Sequence, residues 1–210
     1  MSERETLTEL GRLHQVMHTL RQKCPWDAEQ THESLMTYLI EETAEVVEAV
    51  ENHSDDHMRE ELGDLLLQVF FHGEIAEERG AFTLADIARD ISDKLITRHP
   101  YVYADQEVPT DVWGSWEKRK REEKQRESSM DGIPDTLSAL ARANKVVTRA
   151  RTHDVDVPLD DTEITETDLG VQLLDLVARA HAHRIDPDQA LRTATRRLED
   201  QVRAAESAWQ

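Results

Sequence analysis

The sequence predicts an all-α protein, and three observations carry that expectation. Apolar residues recur at three- and four-residue spacing through most of the 210 positions, and helix caps and breakers fall at the ends of those runs. Seven glycines and three phenylalanines leave little material for a sheet-rich fold. The first helix runs from about Glu3 to Lys23 and stops near Cys24-Pro25, because the residue before a proline disfavours the α region. "CPWDAEQTH" reads as a loop, with Asp27 and Gln30 spaced like a capping box for the second helix, about Glu33 to Glu51. An Asn52-His53-Ser54 turn follows, and Ser54 caps a third helix from about Asp55 to Arg79, with Gly80 as its stop. Thr83 caps a fourth helix that ends near Arg98, ahead of Pro100. "PYVYADQEVPT" reads as a loop, and a fifth helix spans roughly Asp111 to Glu127. "SSMDGIP", Ser128 to Pro134, gathers Ser, Gly and Pro, so the expected division is a domain at 1–127, a linker at 128–134 and a helical region at 135–210.

Within this pattern "YLIEETAEVV" is anomalous, because Glu42 and Glu45 stand where an apolar residue is expected. At about 100° per residue, Leu35, Leu39, Val46 and Ala49 lie within roughly 60° of Glu42, and Glu45 lies about 60° to the other side. Glu41 and Glu48 fall beside the stripe. The third helix repeats the anomaly: Met58, Leu65, Gln68, His72 and Ile75 share the face of Glu61, with Asp64 about 60° off. Counted from His53, Glu45 and Glu61 are each eight residues away, about 12 Å along either helix, so an antiparallel hairpin sets the two acid pairs level. Four carboxylates converging in a partly apolar groove repel one another and lose solvation, which raises their pKa values or recruits cations. An all-oxygen donor set suits Mg2+ or Mn2+. A di-iron bundle needs Glu-x-x-His pairs, and these pairs read Glu-x-x-Glu and Glu-x-x-Asp.

Charge and composition exclude several function classes. A net charge of −19 disfavours nucleic-acid binding and repels a free nucleoside triphosphate unless metal ions invert the local field. No stretch approaches the ~18 to 20 apolar residues of a membrane span, and "MSERETLTEL" lacks the pattern of a secretory signal, so the expected location is cytoplasmic. Cys24 is the sole cysteine, which excludes an internal disulfide. His14 and His18 are four apart on the first helix, a chelating spacing, but no third ligand lies near them in sequence and they take no role here. The segment from Leu169 can be laid over that from Leu62, with Asp168 on Glu61, Val171 on Asp64 and Arg197 on Lys94. No Glu-Glu-x-x-Glu precedes it, so a second copy would be degenerate and without the acid site.

"CPWDAEQTHESLMTYLIEETAEVVEAV", "REELGDLLLQV", "ISDKLITRHPYVY" and "WEKRKREEK" together closely resemble the MazG family of nucleoside triphosphate pyrophosphohydrolases, over most of residues 10–125. The resemblance implies an all-α fold built on a four-helix bundle, a homodimer, and Mg2+-dependent hydrolysis of NTPs or dNTPs to the monophosphate and pyrophosphate. It places metal ligands at Glu42, Glu45, Glu61 and Asp64, a basic pair at Lys94 and Arg98, and nucleotide contacts at Trp116 and Lys120. Lys94 and Arg98, four apart, can meet phosphate oxygens as charge develops on them. Trp26 can stack on a base or ribose, and Asp27 of the same "CPWD" segment joins the expected substrate contacts. Water is the expected nucleophile, with Glu41 at the site's edge as its candidate proton acceptor. The alternative reading is a nucleotide-sensing or protein-binding regulatory protein that hydrolyses little.

Overall fold

The computed structural model describes residues 2–208, which contain ten helices and no strand. They form two compact units, Met1–Leu95 and Ile96–Gln210. In the first unit α1 (Glu3–Lys23) and α3 (Met36–Glu51) both pack on α4 (Asp55–Glu78), and the short α2 (Pro25–Glu29) packs on α1. Met17, Leu35, Phe70, Phe71 and Ile75 form the core, with Leu13, Leu66, Leu67 and Leu84 against it. Each such side chain contributes about 1.5–3 kcal/mol of burial. Leu35 and Ala49, on the face of Glu42, are 1% exposed, so the apolar stripe predicted for this helix faces inward.

Helix ends follow their local chemistry in most places. Ser2 and Glu5 form a reciprocal capping box on α1, and the Ser54 hydroxyl accepts from the His57 amide at the start of α4. Thr83 and Asp86 cap α5 (Leu84–Arg98) reciprocally, and hydrogen bonds from Thr83 and then Arg89 hold the Asp86 carboxyl down at about 2. At the end of α4 the Gly80 amide donates to Glu77 and the Ala81 amide to Ala76, a Schellman motif in which Gly80 has φ +65°. Gly80→Ala is expected to lower stability by about 1 kcal/mol through the left-handed backbone alone, since a Cβ there meets open space. A urea titration checks this, and no change would mean the turn relaxes freely.

The segment 24–35 departs from expectation. It contains α2 instead of a plain loop, and α3 begins after Leu35 with no side-chain cap. The Asp27–Gln30 capping box does not form, because Gln30 turns back to donate to the Trp26 carbonyl and Arg21 takes over the anchoring. The Arg21 guanidinium donates to the Asp27 and Gln30 carbonyls and makes a two-pronged ion pair with Glu78. The 100–110 segment likewise holds a short helix, α6 (Pro100–Tyr103), before Asp111 caps α7 (Val112–Glu123).

The second unit is built on α8 (Ala139–Thr152) packed against α10 (Pro187–Ser207), with α7 on α8 and α9 (Glu166–Ala182) on α10. Its core joins Met130, Ile133, Val146, Ala150, Val155 and Val202. Residues 128–134 are therefore part of a packed body. The Ser129 amide donates to Glu206 at 2.9 Å, and Arg149 donates to the Ser129 and Asp131 carbonyls. Ser, Gly and Pro there make turns inside a core, and the division between units falls within α5. The sequence match between 169–202 and 62–99 does not extend to packing: α9 buries no residue, whereas α4 buries eight.

Candidate active site

Glu42 and Glu45 lie one turn apart on the inward stripe of α3, and Glu61 lies on the inward stripe of α4. The short Asn52–Ser54 turn returns the chain so that α4 packs along α3, with His53 in the left-handed region at φ 53°. One carboxylate oxygen from each of Glu42, Glu45 and Glu61 falls within 4.8 Å of the others. Glu61 is 8% exposed, and Glu42, Glu45 and Asp64 are half-buried. Burial raises the Glu42 carboxyl above the usual range, followed by the charges of Asp64 and Glu45. Burial also raises Glu61, followed by Glu45, while His57 acts against the rise. Asp64 lies outside the tight trio and acts on it through its field.

Three convergent carboxylates, two of them raised by burial, fit a hard divalent cation, because a cation's charge removes the mutual repulsion. Glu41 and Glu48 are exposed beside the trio. His57 was not singled out in the sequence, yet its Nε2 lies 2.9 Å from Glu61 Oε1. The i, i+4 spacing of His57 and Glu61 on one helix was the available signal.

The other predicted residues fall in separate surroundings. Trp26 is half-exposed on α2 and makes T-shaped ring contacts with Tyr38 and Phe71. Asp27 is nearly buried, and its carbonyl is taken by Arg21. Lys94 is half-buried on α5. Arg98 is 3% exposed, its guanidinium donates to Glu123 at 2.7–2.8 Å, and it lies 5.1 Å from the Trp116 ring centre. That charge is engaged within the protein, so the phosphate contact expected of Arg98 finds no support in this geometry. Lys120 sits 4.9 Å from the same ring and 3.5 Å from Glu117, and burial lowers its pKa. Trp116 also stacks on Trp113 at 5.6 Å. Arg98, Trp116 and Lys120 are brought together in the second unit as a packed cation–aromatic cluster.

The Nδ1 atoms of His32 and of His72 on α4 lie 2.7 Å apart, a hydrogen bond in which one ring donates to the other. Burial lowers the His72 pKa, and His32 adds to the effect. A base depressed in the folded state stabilises the fold above its unfolded value, near 6.5, and that stability is lost as pH falls through the folded value. The unfolding free energy of wild type is expected to drop more between pH 7.5 and pH 5 than that of His72→Gln. Parallel losses in urea titrations would show that this pair does not report pH.

An all-α hairpin that brings three inward acids of two adjacent helices together has the donor set of a divalent-cation site. Residues 30–103 match the MazG nucleotide pyrophosphohydrolase domain. The chain is 37% identical over 213 residues to the nucleoside triphosphate pyrophosphohydrolase/pyrophosphatase MazG of Thermotoga maritima, covering 91% of this chain and 83% of that one. It is 40% identical over 196 residues to the nucleoside triphosphate pyrophosphohydrolase of Mycobacterium tuberculosis, with 92% and 57% covered. The Escherichia coli K12 protein of the same name is 44% identical over 151 residues, with 68% and 57% covered. The chain belongs to the MazG family of nucleotide pyrophosphohydrolases. Among the described residues no helix is long and apolar enough to cross a membrane.

Proposed function

We propose that the protein hydrolyses nucleoside or deoxynucleoside triphosphates at the α,β phosphoanhydride, releasing monophosphate and pyrophosphate, with Mg2+ or Mn2+ held by Glu42, Glu45, Glu61 and Asp64. The observation that carries the reading is the convergence of Glu42, Glu45 and Glu61 oxygens within 4.8 Å at a partly buried place. When bound there, the cation neutralises the triphosphate and polarises the phosphorus under attack. Glu42 and Glu61, whose carboxyls burial raises, would be relieved by its charge. His57, whose Nε2 lies 2.9 Å from Glu61 Oε1, helps to position that carboxylate. Glu41, exposed next to Glu42, accepts the proton of the attacking water. Lys94 supplies positive charge for phosphate oxygens, and Trp26 offers its exposed ring to the base.

The first unit also leaves Met36, Ile40, Val47 and Val50 of α3 exposed. A second copy laid against this face completes a four-helix bundle, so the working form is a homodimer. Product analysis tests the activity, using purified protein, a panel of NTPs and dNTPs, and Mg2+ present or chelated. Metal-dependent monophosphate plus pyrophosphate is expected. Orthophosphate plus diphosphate would place attack at another phosphorus, and nucleotide binding without turnover would make the protein a sensor.

A further inference from the structure

The chelating spacing of His14 and His18 on α1 lacks a third ligand in sequence, but packing supplies one. Glu74 of α4 lies 3.1 Å from His14 Nε2 through Oε1 and 3.0 Å from His18 Nδ1 through Oε2. The Glu74 side chain is only 4% exposed, and its Oε1 has no hydrogen-bond partner. An unpartnered carboxylate oxygen in a core costs about 1–3 kcal/mol, so this one is aimed at something the protein alone does not provide. The Nε2 of His14 and the Oε1 of Glu74 face each other without the geometry of a hydrogen bond, as two atoms do when both present lone pairs to a shared third body. Their 3.1 Å separation matches two ligand bonds of about 2.0–2.1 Å meeting at about 100°. Glu77, exposed one turn from Glu74, brings a second carboxylate oxygen within 4.8 Å of both.

We propose that His14, Glu74 and Glu77 form a second metal site, for a borderline ion such as Zn2+, with His18 positioning Glu74. One imidazole and two carboxylates favour such an ion over Mg2+, which prefers oxygen alone. His18 holds the second oxygen of Glu74 through Nδ1, and Gln22 holds His18 Nε2 at 2.7 Å, so the supporting contacts extend outward to the surface. This site is separate from the four acids. Glu74 is ten residues beyond Asp64 on α4, about 15 Å along the axis. Two ligands are solvent-accessible, which leaves open coordination for water or an exogenous anion. Because α1 and α4 each contribute ligands, an ion here also ties the two helices together.

The test titrates Zn2+ into the full-length protein already saturated with Mg2+, and repeats the titration with Co2+ to read its visible absorption. One tight equivalent with nitrogen-ligand absorption is expected. His14→Asn and Glu77→Gln, both at accessible positions, should each weaken it at least about tenfold with helical content unchanged. Glu42→Gln should leave this equivalent in place. No Zn2+ equivalent in wild type would overturn the proposal, as would wild-type affinity in both His14→Asn and Glu77→Gln, or loss of the equivalent in Glu42→Gln.

Discussion

Glu42→Gln is expected to lower turnover at least about 100-fold while leaving the metal-free fold as stable as wild type or more so. The two outcomes come from one cause. Burial and then the neighbouring acids Asp64 and Glu45 raise the Glu42 carboxyl, so the folded protein holds a proton there more tightly than the unfolded chain. A raised acid contributes stability below its unfolded value, near 4.5, and that contribution is lost as pH rises through the folded value. At neutral pH the ionised Glu42 therefore works against the metal-free fold, and Gln, with the same shape and no charge, removes the strain. The cation loses a ligand at the same time. Thermal unfolding with and without Mg2+ should show the variant's metal-induced rise in Tm largely gone, and a steady-state assay should show the loss of rate. Wild-type turnover would remove Glu42 from the mechanism. Lowered turnover with a lowered metal-free Tm would instead make it a structural acid.

The acid hairpin was legible because two periodicities coincided. A helix stripe that buries Leu35 and Ala49 must also turn Glu42 inward, and an equal count to either side of His53 sets Glu45 level with Glu61. No long-range information is needed for that deduction. The place of the 128–134 turns in the fold was not legible, for the opposite reason. Composition marks Ser128 to Pro134 as turn-forming, but whether turns link domains or fold into one depends on partners such as Glu206, 77 residues away. Arg98 shows the same limit. Its place ahead of Pro100 says that it ends a helix, and only the approach of Glu123 and Trp116 shows how its charge is used. His14 and His18 present the converse case, because their ligand spacing is visible but Glu74 reaches them only through the packing of α1 on α4.

The largest loss of stability is expected in the second unit, from Glu117→Gln. The Glu117 side chain is 1% exposed and neither oxygen has a hydrogen-bond partner, yet Lys120 and Lys145 approach it to 3.5 Å and Arg149 to 3.8 Å. Burial pushes its carboxyl upward, but Lys120, Lys145 and Arg149 outweigh that push and hold it below the usual range. Burial in turn lowers the pKa of Arg149, whose guanidinium is 2% exposed and cannot turn to solvent. Removing one partner of a buried ion pair costs about 3–5 kcal/mol, because the remaining charge stays desolvated. Arg149 keeps its bonds to the Ser129 and Asp131 carbonyls, which limits the loss to about 3 kcal/mol. Lys145→Met at the accessible edge should cost under about 1 kcal/mol. A depressed carboxyl stabilises above its unfolded value, near 4.5, and loses that contribution as pH falls through the folded value. Urea unfolding followed by the fluorescence of Trp113 and Trp116 should therefore separate wild type from Glu117→Gln at neutral pH and bring the two curves together in acid. Equal stability at neutral pH would show that Glu117 is dispensable to the cations around it, and a gap that persists at the lowest pH would trace the loss to packing instead of charge.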